Sequence, residues 1–291
     1  MWCVRHAPRH SAFNQVSDFF VLHKWYHKTV VVTGAANGLG KALAVALHRQ
    51  GCHLALIDKD AEGLAQLQAL LTNPQHKVSI HSADVSKQKE VAQAFTSIAA
   101  LHTHLTALIN NAGVSVSRWF ETTAITDFQQ VMDVNFWGTV YCTQAFLAHT
   151  ATVKERWVVN IVSQFAQLGF PGKSAYAASK GAVTAVTNVL KTEWEGTSNH
   201  ILLVVAPPMN TTIVKSGAHI NETKQQAESA FLKKHGVPLP LVAHKIISAA
   251  SRNQYRIVIG NETKFVDFIG RLTPGFLHLL IGKNKNRFDF I

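Results

Sequence analysis

Seven short β-branched or apolar runs recur along the chain, and longer segments with apolar residues at helical spacing separate most of them. The runs are 29–33 (TVVVT), 53–57, 77–81, 105–109, 157–162, 201–205 and 256–259. The helical segments are 38–50, 61–71, 87–100, 124–150, 175–194 and 239–251. Strands that alternate with helices in this rhythm need crossover connections. The sequence therefore predicts an α/β fold with a doubly wound, mostly parallel seven-stranded sheet and helices on both faces.

Composition favours one domain with distinct ends. The chain has 291 residues, of which 47% are hydrophobic, and contains no internal repeat or Pro/Gly/Ser linker. We expect an N-terminal extension over 1–27, the main domain over 28–262, and an apolar, basic tail over 263–291. The three cysteines are odd in number and far apart, which suits a reducing compartment such as the cytoplasm. No histidine or cysteine pair has metal-ligand spacing, so no metal site is predicted.

The net charge of +11 is unevenly distributed. Residues 1–28 and 271–291 each carry +3, which leaves +5 for the 242 residues between them. No basic patch is interleaved with aromatics, and nucleic-acid binding is therefore not predicted. The N-terminal extension lacks a signal-peptide core and no apolar run is long enough to span a bilayer. A transit peptide is an alternative there to the disordered or surface-packed segment that we favour.

A glycine-rich turn, TGAANGLG at 33–40, follows the first predicted strand and opens a helix. Gly34, Gly38 and Gly40 let the backbone turn sharply and approach a pyrophosphate, whose charge the helix N-terminus favours. Such a turn alone is weak evidence, because it can be purely structural. Asp58, at the end of the second strand, is where a carboxylate can bind both hydroxyls of an adenosine ribose.

Asp58 also bears on the choice of dinucleotide. A 2′-phosphate would bring like charge against this carboxylate. One like charge at about 4 Å and an effective dielectric near 20 costs roughly 4 kcal/mol, or about a thousandfold in affinity. The neighbouring Lys59 could offset part of that cost. We predict NAD(H) as the cofactor in preference to NADP(H).

Six motifs in order make the chain resemble the short-chain dehydrogenase/reductase superfamily in its single-domain form, over about residues 28–260. They are TGAANGLG at 33–40, Asp84-Val85, NNAG at 110–113, Asn135 within DVNFWG, Ser163, and YAASK at 176–180.

The resemblance implies a role for four side chains. Tyr176 would exchange a proton with the substrate oxygen, and Lys180, one helical turn away, would lower the pKa of this phenol and hold the nicotinamide ribose. Ser163 would hydrogen-bond the reacting oxygen. Asn135 would hold a water that connects Lys180 to solvent.

The resemblance also implies contacts to the dinucleotide. Asp84 and Val85 would bracket the adenine, and NNAG would let the backbone approach the adenosine ribose. After the sixth strand the family usually has Pro-Gly and then a threonine, whereas this chain has Pro207, Pro208 and Thr212. The complete predicted cofactor set is Gly34, Asn37, Gly38, Leu39, Gly40, Asp58, Asp84, Val85, Asn110, Asn111, Ala112, Gly113, Tyr176, Lys180, Pro207 and Thr212.

The segment 209–238 has the length and irregularity of a substrate lid. With the loop after Ser163 it could form an apolar pocket, or its aromatics could merely pack the lid; the residues concerned are Met209, Ile213, Val214, Phe231, Phe165, Leu168 and Phe170. The tail could lie on an anionic membrane, on its own domain or on a second subunit. A homodimer or homotetramer is expected through the helices of 124–150 and 175–194.

These features together predict an oxidoreductase that interconverts a secondary alcohol and a ketone with NAD(H), on an apolar acyl, steroid-like or aromatic substrate. A catalytically idle NAD-binding sensor or scaffold and an NADPH-dependent ketoreductase are the alternatives. Epimerisation or dehydration on the same fold is a third.

Overall fold

The structure is a computed structural model and describes residues 23–211, 213 and 221–285. Its strands are β1 (Thr29–Thr33), β2 (His53–Asp58), β3 (Val78–Ser82), β4 (Leu105–Asn110), β5 (Arg156–Ser163), β6 (Asn199–Ala206) and β7 (Arg256–Val258). Its longer helices are α1 (Gly38–Arg49), α2 (Ala61–Leu70), α3 (Gln88–Leu101), α4 (Ile125–Met132), α5 (Gly138–His149), α7 (Ser174–Glu193), α8 (Glu222–His235), α9 (Leu239–Ser251), α10 (Asn261–Leu272) and α11 (Pro274–Lys283). A single turn, α6 (Phe165–Leu168), follows β5.

All seven strands are parallel, in the order β3-β2-β1-β4-β5-β6-β7. Val30 and Val32 of β1 pack into the core on one face of the sheet, and Val31 packs into the core on the other. A strand buried on both faces has no polar side, which explains the continuous apolar runs. The predicted doubly wound sheet is confirmed, and its winding reverses between β1 and β4, where ligands bind in such folds.

The predicted helix over 124–150 is interrupted. Residues Asp133–Trp137 form a π-helical turn between α4 and α5. A π turn adds one residue to the helical register, and such turns occur frequently at functional sites. Asn135 lies within this turn and is fully buried.

The predicted irregular lid contains a helix, since α8 occupies Glu222–His235 in its described part. The side chain of Asn221 caps this helix by accepting a hydrogen bond from the Lys224 backbone N–H at 2.9 Å. Asparagine is among the favoured N-cap residues, and this cap was an available sequence signal.

The described parts of both predicted ends, residues 23–27 and 263–285, pack onto the main domain. Trp25, inside the predicted extension, is only 1% exposed and contacts Trp157 of β5 with ring centroids 6.1 Å apart. Helix α10 crosses the predicted boundary at 262, and Leu277 of α11 is buried. Within the described residues, no helix is long and apolar enough to cross a membrane.

Candidate active site

A cavity of about 470 Å³ opens beyond the carboxyl ends of the central strands. It is bordered by residues at or after the ends of β1 to β6, since parallel strands end at the same edge of the sheet. The predicted site residues that line it are Gly34, Asn37, Gly38, Leu39, Asp58, Asp84, Val85, Asn111, Ala112, Gly113, Ser163, Tyr176, Lys180 and Pro207.

The three glycines of the turn after β1 are required for different reasons. Gly34 and Gly38 have φ of +63° and +55°, which side-chain-bearing residues rarely adopt. A Cβ on Gly34 would stand 2.7 Å from the Ala112 Cα. Gly40 has no positive φ, but a Cβ there would stand 2.0 Å from the Gly34 carbonyl oxygen. The turn is thus closely packed from behind and open towards the cavity, which suits a bound pyrophosphate.

Asn111 and Asp58 fix this turn. The Asn111 Nδ2 donates hydrogen bonds to the backbone oxygens of Thr33 and Gly34, both at 3.0 Å. The Asp58 Oδ2 accepts from the Ala36 backbone N–H at 3.0 Å. Its other oxygen, Oδ1, accepts from the Asp60 backbone N–H at 3.0 Å. The Asp58 carboxylate is therefore held on the wall of the cavity.

Helix α7 brings Tyr176 and Lys180 to the other end of the cavity, one turn apart. The Lys180 Nζ lies 5.9 Å from the centroid of the Tyr176 ring and donates to the Ile161 carbonyl oxygen at 2.9 Å. Ser163, the last residue of β5, is hydrogen-bonded to the Tyr176 side chain. A hydroxyl, a phenol and an ammonium group thus converge on one point.

The pKa values of Tyr176 and Lys180 are shifted mainly by burial. Burial raises the pKa of Tyr176 to about 12, the Ser163 hydrogen bond opposes this rise, and the charge of Glu228 adds to it. Burial also lowers the pKa of Lys180 to about 8. The sequence predicted that Lys180 would lower the pKa of the phenol. In this structure burial raises that pKa instead, and the Lys180 ammonium donates to the Ile161 carbonyl.

Asn135 holds two neighbouring elements in place. Its Oδ1 accepts from the Val114 backbone N–H at 2.8 Å. Its Nδ2 donates to the Val114 carbonyl oxygen and to the Ser179 Oγ, both at 2.9 Å. A Cβ on Gly113 would stand 3.2 Å from the Asn135 Oδ1 and 3.5 Å from the Lys180 Nζ. Asn135 therefore lies beside Lys180, behind the cavity wall.

Among the described residues, two members of the predicted cofactor set, Asn110 and Gly40, do not line the cavity. The Asn110 side chain lies inside the sheet, where its Nδ2 donates to Thr143 at 3.0 Å and to Asn160 at 2.9 Å, so only its backbone is left for the predicted cofactor contact. Gly40 acts through packing, as described above. Thr212 lies outside the described residues. Pro208 also stays out of the cavity lining, and its carbonyl oxygen accepts from the Val237 backbone N–H at 3.0 Å.

Met209 and Ile213, which the sequence indicated for an apolar pocket, line the cavity together with Lys59. The sequence did not indicate the rest of the wall, which is formed by Asp60, Ala83, Val114, Val134, Ile161, Val162, Ala206 and Thr211. Of the expected pocket aromatics, Phe165 contacts the Tyr176 ring at 6.5 Å and the Phe170 ring at 4.9 Å between centroids. Leu168 instead borders a small cavity beside Leu277. Val214 lies outside the described residues.

A buried ion pair joins α8 to the start of α7. The Lys173 Nζ lies 2.6 Å from the Glu228 Oε1 and donates to Ser117 at 2.5 Å and Ser115 at 3.3 Å. Ser117 donates in turn to the Glu228 Oε2 at 2.6 Å. The two charged side chains are 3% and 7% exposed. No sequence pattern indicated this pair, whose members are 55 residues apart.

Comparisons with known proteins agree with this geometry. The sequence is 29% identical over 265 residues to SadH of Mycobacterium tuberculosis, which covers 90% of this chain and 96% of that protein. It is 29% identical over 242 residues to the 3-ketodihydrosphingosine reductase of Bos taurus, and this alignment covers 80% of this chain and 71% of that reductase.

Solved structures share the fold. A short chain dehydrogenase/reductase from Burkholderia phymatum in complex with NAD superposes with a TM-score of 0.77 at 22% identity, covering 88% of this chain and 96% of that one. ElxO with NADP bound superposes with a TM-score of 0.61 at 28% identity, covering 65% and 77%. The profile of the family described as short chain dehydrogenase matches residues 28–222. The chain therefore belongs to the short chain dehydrogenase family of oxidoreductases, whose fold binds NAD or NADP.

Proposed function

We propose that the protein is an NAD-dependent dehydrogenase that interconverts a secondary alcohol and a ketone. The observation that supports this most directly is the convergence of Ser163, Tyr176 and Lys180 at one end of the cavity. The glycine turn and Asp58 lie on the same cavity wall. When bound, a nicotinamide dinucleotide supplies the hydride acceptor for alcohol oxidation and the donor for carbonyl reduction.

Tyr176 is the proposed acid and base. Its pKa of about 12 keeps the phenol protonated at neutral pH, which suits proton donation to the oxygen of a ketone during reduction. In the oxidising direction the same oxygen accepts the proton of the alcohol. The Ser163 hydroxyl holds the reacting oxygen beside Tyr176. General acid–base catalysis of this kind contributes about 10²–10⁴-fold to the rate.

Lys180 and Asn135 support this chemistry. With a pKa of about 8, Lys180 is mostly cationic at neutral pH and can bind the hydroxyls of the nicotinamide ribose. Asn135 places Val114 and Ser179 next to it through three hydrogen bonds. Both protons of the Asn135 amide are used in these bonds, so the proposed water between Lys180 and solvent would take the remaining acceptor capacity of Asn135.

We propose NAD rather than NADP as the cofactor. Asp58 and Asp60 both border the cavity, and the Asp60 Oδ2 accepts from the Asn37 side chain at 3.1 Å. Two carboxylates in this position oppose a 2′-phosphate more strongly than the single one that the sequence indicated, while Lys59 is the nearby opposing charge.

The cofactor proposal is tested by titrating intrinsic fluorescence with NADH and NADPH. The wild-type protein should bind NADH about a hundredfold or more tightly than NADPH. Asp58→Ser should bring the ratio of the NADPH and NADH dissociation constants closer to one. Asp60→Ser should change this ratio less, because the Asp60 carboxylate is already engaged in capping α2. Equal binding of both dinucleotides by the wild-type protein would contradict the proposal.

The proposed substrate is apolar around its carbonyl. Met209 and Ile213 line the cavity, and Phe165 packs against Tyr176. The Bos taurus relative is named as a reductase of 3-ketodihydrosphingosine, a substrate with a long apolar chain. We infer that this chain takes acyl, steroid-like or aromatic ketones and alcohols.

We also propose a homodimer or homotetramer. Trp137 and Val189 are 44% and 54% exposed on the helical segments where pairing was expected, and Trp137 stacks on Tyr141. Large apolar side chains exposed together are typical of subunit interfaces. Light scattering after size exclusion should give a mass at least twice 32.0 kDa.

The decisive test of function is a panel of apolar alcohols and ketones assayed by nicotinamide absorbance with both cofactors. Tyr176→Phe should lower turnover about 10²–10⁴-fold while dinucleotide binding is kept. Tyr255→Phe, a phenol outside the cavity lining, is the matched control. Dinucleotide binding without turnover of any substrate would favour the idle sensor or scaffold.

A further inference from the structure

Helices α10 and α11 expose an unusual amount of apolar surface. Six large side chains there are between 50% and 67% exposed: Phe265, Phe268, Leu272, Phe276, Leu279 and Leu280. We call this set the tail face. Soluble proteins rarely expose such side chains contiguously without a binding partner. The tail face therefore needs an explanation beyond the packing of its own domain.

The side chains of the tail face lie on the outer side of α10 and α11, opposite the sides that pack on the domain. Phe265, Phe268 and Leu272 recur at helical spacing on α10, whereas Thr263 of the same helix is buried. On the inner side Asp267 is paired with Arg256 of β7 at 2.5 Å. Leu277 of α11 is buried and borders the small cavity next to α6. Both helices are thus fixed on the domain through their inner sides, and the outer side is left to solvent.

Cations surround the tail face. Lys264, Arg271, Lys283 and Lys285 are all exposed on or immediately after these two helices. The only acids on α10 and α11 are Glu262 and Asp267, and Asp267 is already paired with Arg256. Apolar side chains in a basic surround are complementary to a bilayer whose headgroups are anionic.

A second copy of the chain fits this face less well. A two-fold symmetric interface brings the same patch of both subunits together. Lys264, Arg271 and Lys283 would then approach the same cations of the other copy, with little opposite charge to compensate. Like charges brought together across an interface cost several kcal/mol. The charge pattern therefore favours a lipid surface over self-association.

We propose that the tail face binds peripherally to the surface of an anionic membrane, with its Phe and Leu side chains among the lipid headgroups and its cations against anionic lipid. The face adjoins the active-site region, since α10 and α11 pack against α6 and the Lys285 Nζ lies 6.0 Å from the centroid of the Trp119 ring. This inference is independent of the proposed reaction.

The test is co-sedimentation of the full chain with phosphatidylcholine vesicles with and without phosphatidylserine. The wild-type protein should bind the vesicles that contain phosphatidylserine, and added salt should weaken binding. Phe268→Ser with Phe276→Ser should lower the partition coefficient about tenfold or more. Lys264→Glu with Arg271→Glu should lower it at least about fivefold for each cation changed. Leu70→Ser, on α2 and equally exposed at 60%, is the control that should bind like wild type.

Two results would overturn the proposal. One is absence of wild-type binding to phosphatidylserine vesicles; if the Phe268→Ser, Phe276→Ser variant then also has a lower oligomer mass, the face belongs to a second copy. The other is unchanged binding by both double variants. All altered side chains are exposed, and circular dichroism would verify that each variant remains folded.

Discussion

The buried pair of Lys173 and Glu228 allows a quantitative prediction about the lid. Glu228→Gln keeps the volume of the side chain but leaves the Lys173 ammonium buried without a carboxylate. Both side chains are less than a tenth exposed, so water screens the loss very little. Removing one partner of such a pair costs about 3–5 kcal/mol. We expect Glu228→Gln and Lys173→Met each to lower the free energy of unfolding by about this amount.

A double variant separates the interaction energy of Lys173 with Glu228 from the effect of losing each side chain. Lys173→Met with Glu228→Met removes both charges and fills the site with apolar side chains, which is often close to neutral for stability. It should therefore be more stable than either single variant. The coupling energy from the double-mutant cycle, with Lys173→Met and Glu228→Met as its single variants, should exceed about 2 kcal/mol.

Urea unfolding measures the loss in the free energy of unfolding. Limited proteolysis within 222–235 measures the release of α8 alone. The surface pair of Lys191 and Glu195 is the control, because its side chains are 41% and 74% exposed. Glu195→Gln should change stability by no more than about 0.5 kcal/mol. The reasoning is refuted if Glu228→Gln costs less than about 1 kcal/mol and leaves α8 as resistant to protease as in the wild type.

Three further results are expected. Gly40→Ala should weaken dinucleotide binding about tenfold or more in a fluorescence titration, because its Cβ would overlap the Gly34 carbonyl, whereas Gly181→Ala, with open space around it, should bind normally. Burial and the charge of Lys77 lower the pKa of His102 to about 4. The unfolded chain therefore binds its proton first, so stability should fall as pH drops below about 6.5, and less steeply in His102→Gln when melting is followed by calorimetry. Because burial raises the pKa of Tyr176 to about 12, ultraviolet titration of the dinucleotide-free protein against Tyr176→Phe should show this phenol still protonated at pH 10; a phenolate that forms near neutrality would contradict the raised pKa.

Local sequence was sufficient for the architecture. Seven apolar runs became seven parallel strands, because a strand buried on both faces must be continuously apolar. The glycine turn was also readable, since Gly34 and Gly38 have the positive φ values that favour glycine. The sequence missed α8, although the Asn221 cap was present. It did not indicate the π turn around Asn135, whose side chain is hydrogen-bonded to Val114 and Ser179 from distant parts of the chain.

The sequence by itself determined the sheet and its glycine turn, because hydrophobic periodicity and backbone conformation are local properties of the chain. It also supplied Ser163, Tyr176 and Lys180, but not the environment of these side chains. Only the tertiary structure decided that burial raises the pKa of Tyr176, and that the Asn110 side chain is hydrogen-bonded inside the sheet. The same holds for the pairing of Lys173 with Glu228 and for the exposure of the tail face. Burial, desolvation and ion pairing depend on which distant segments meet, and no local pattern encodes those contacts.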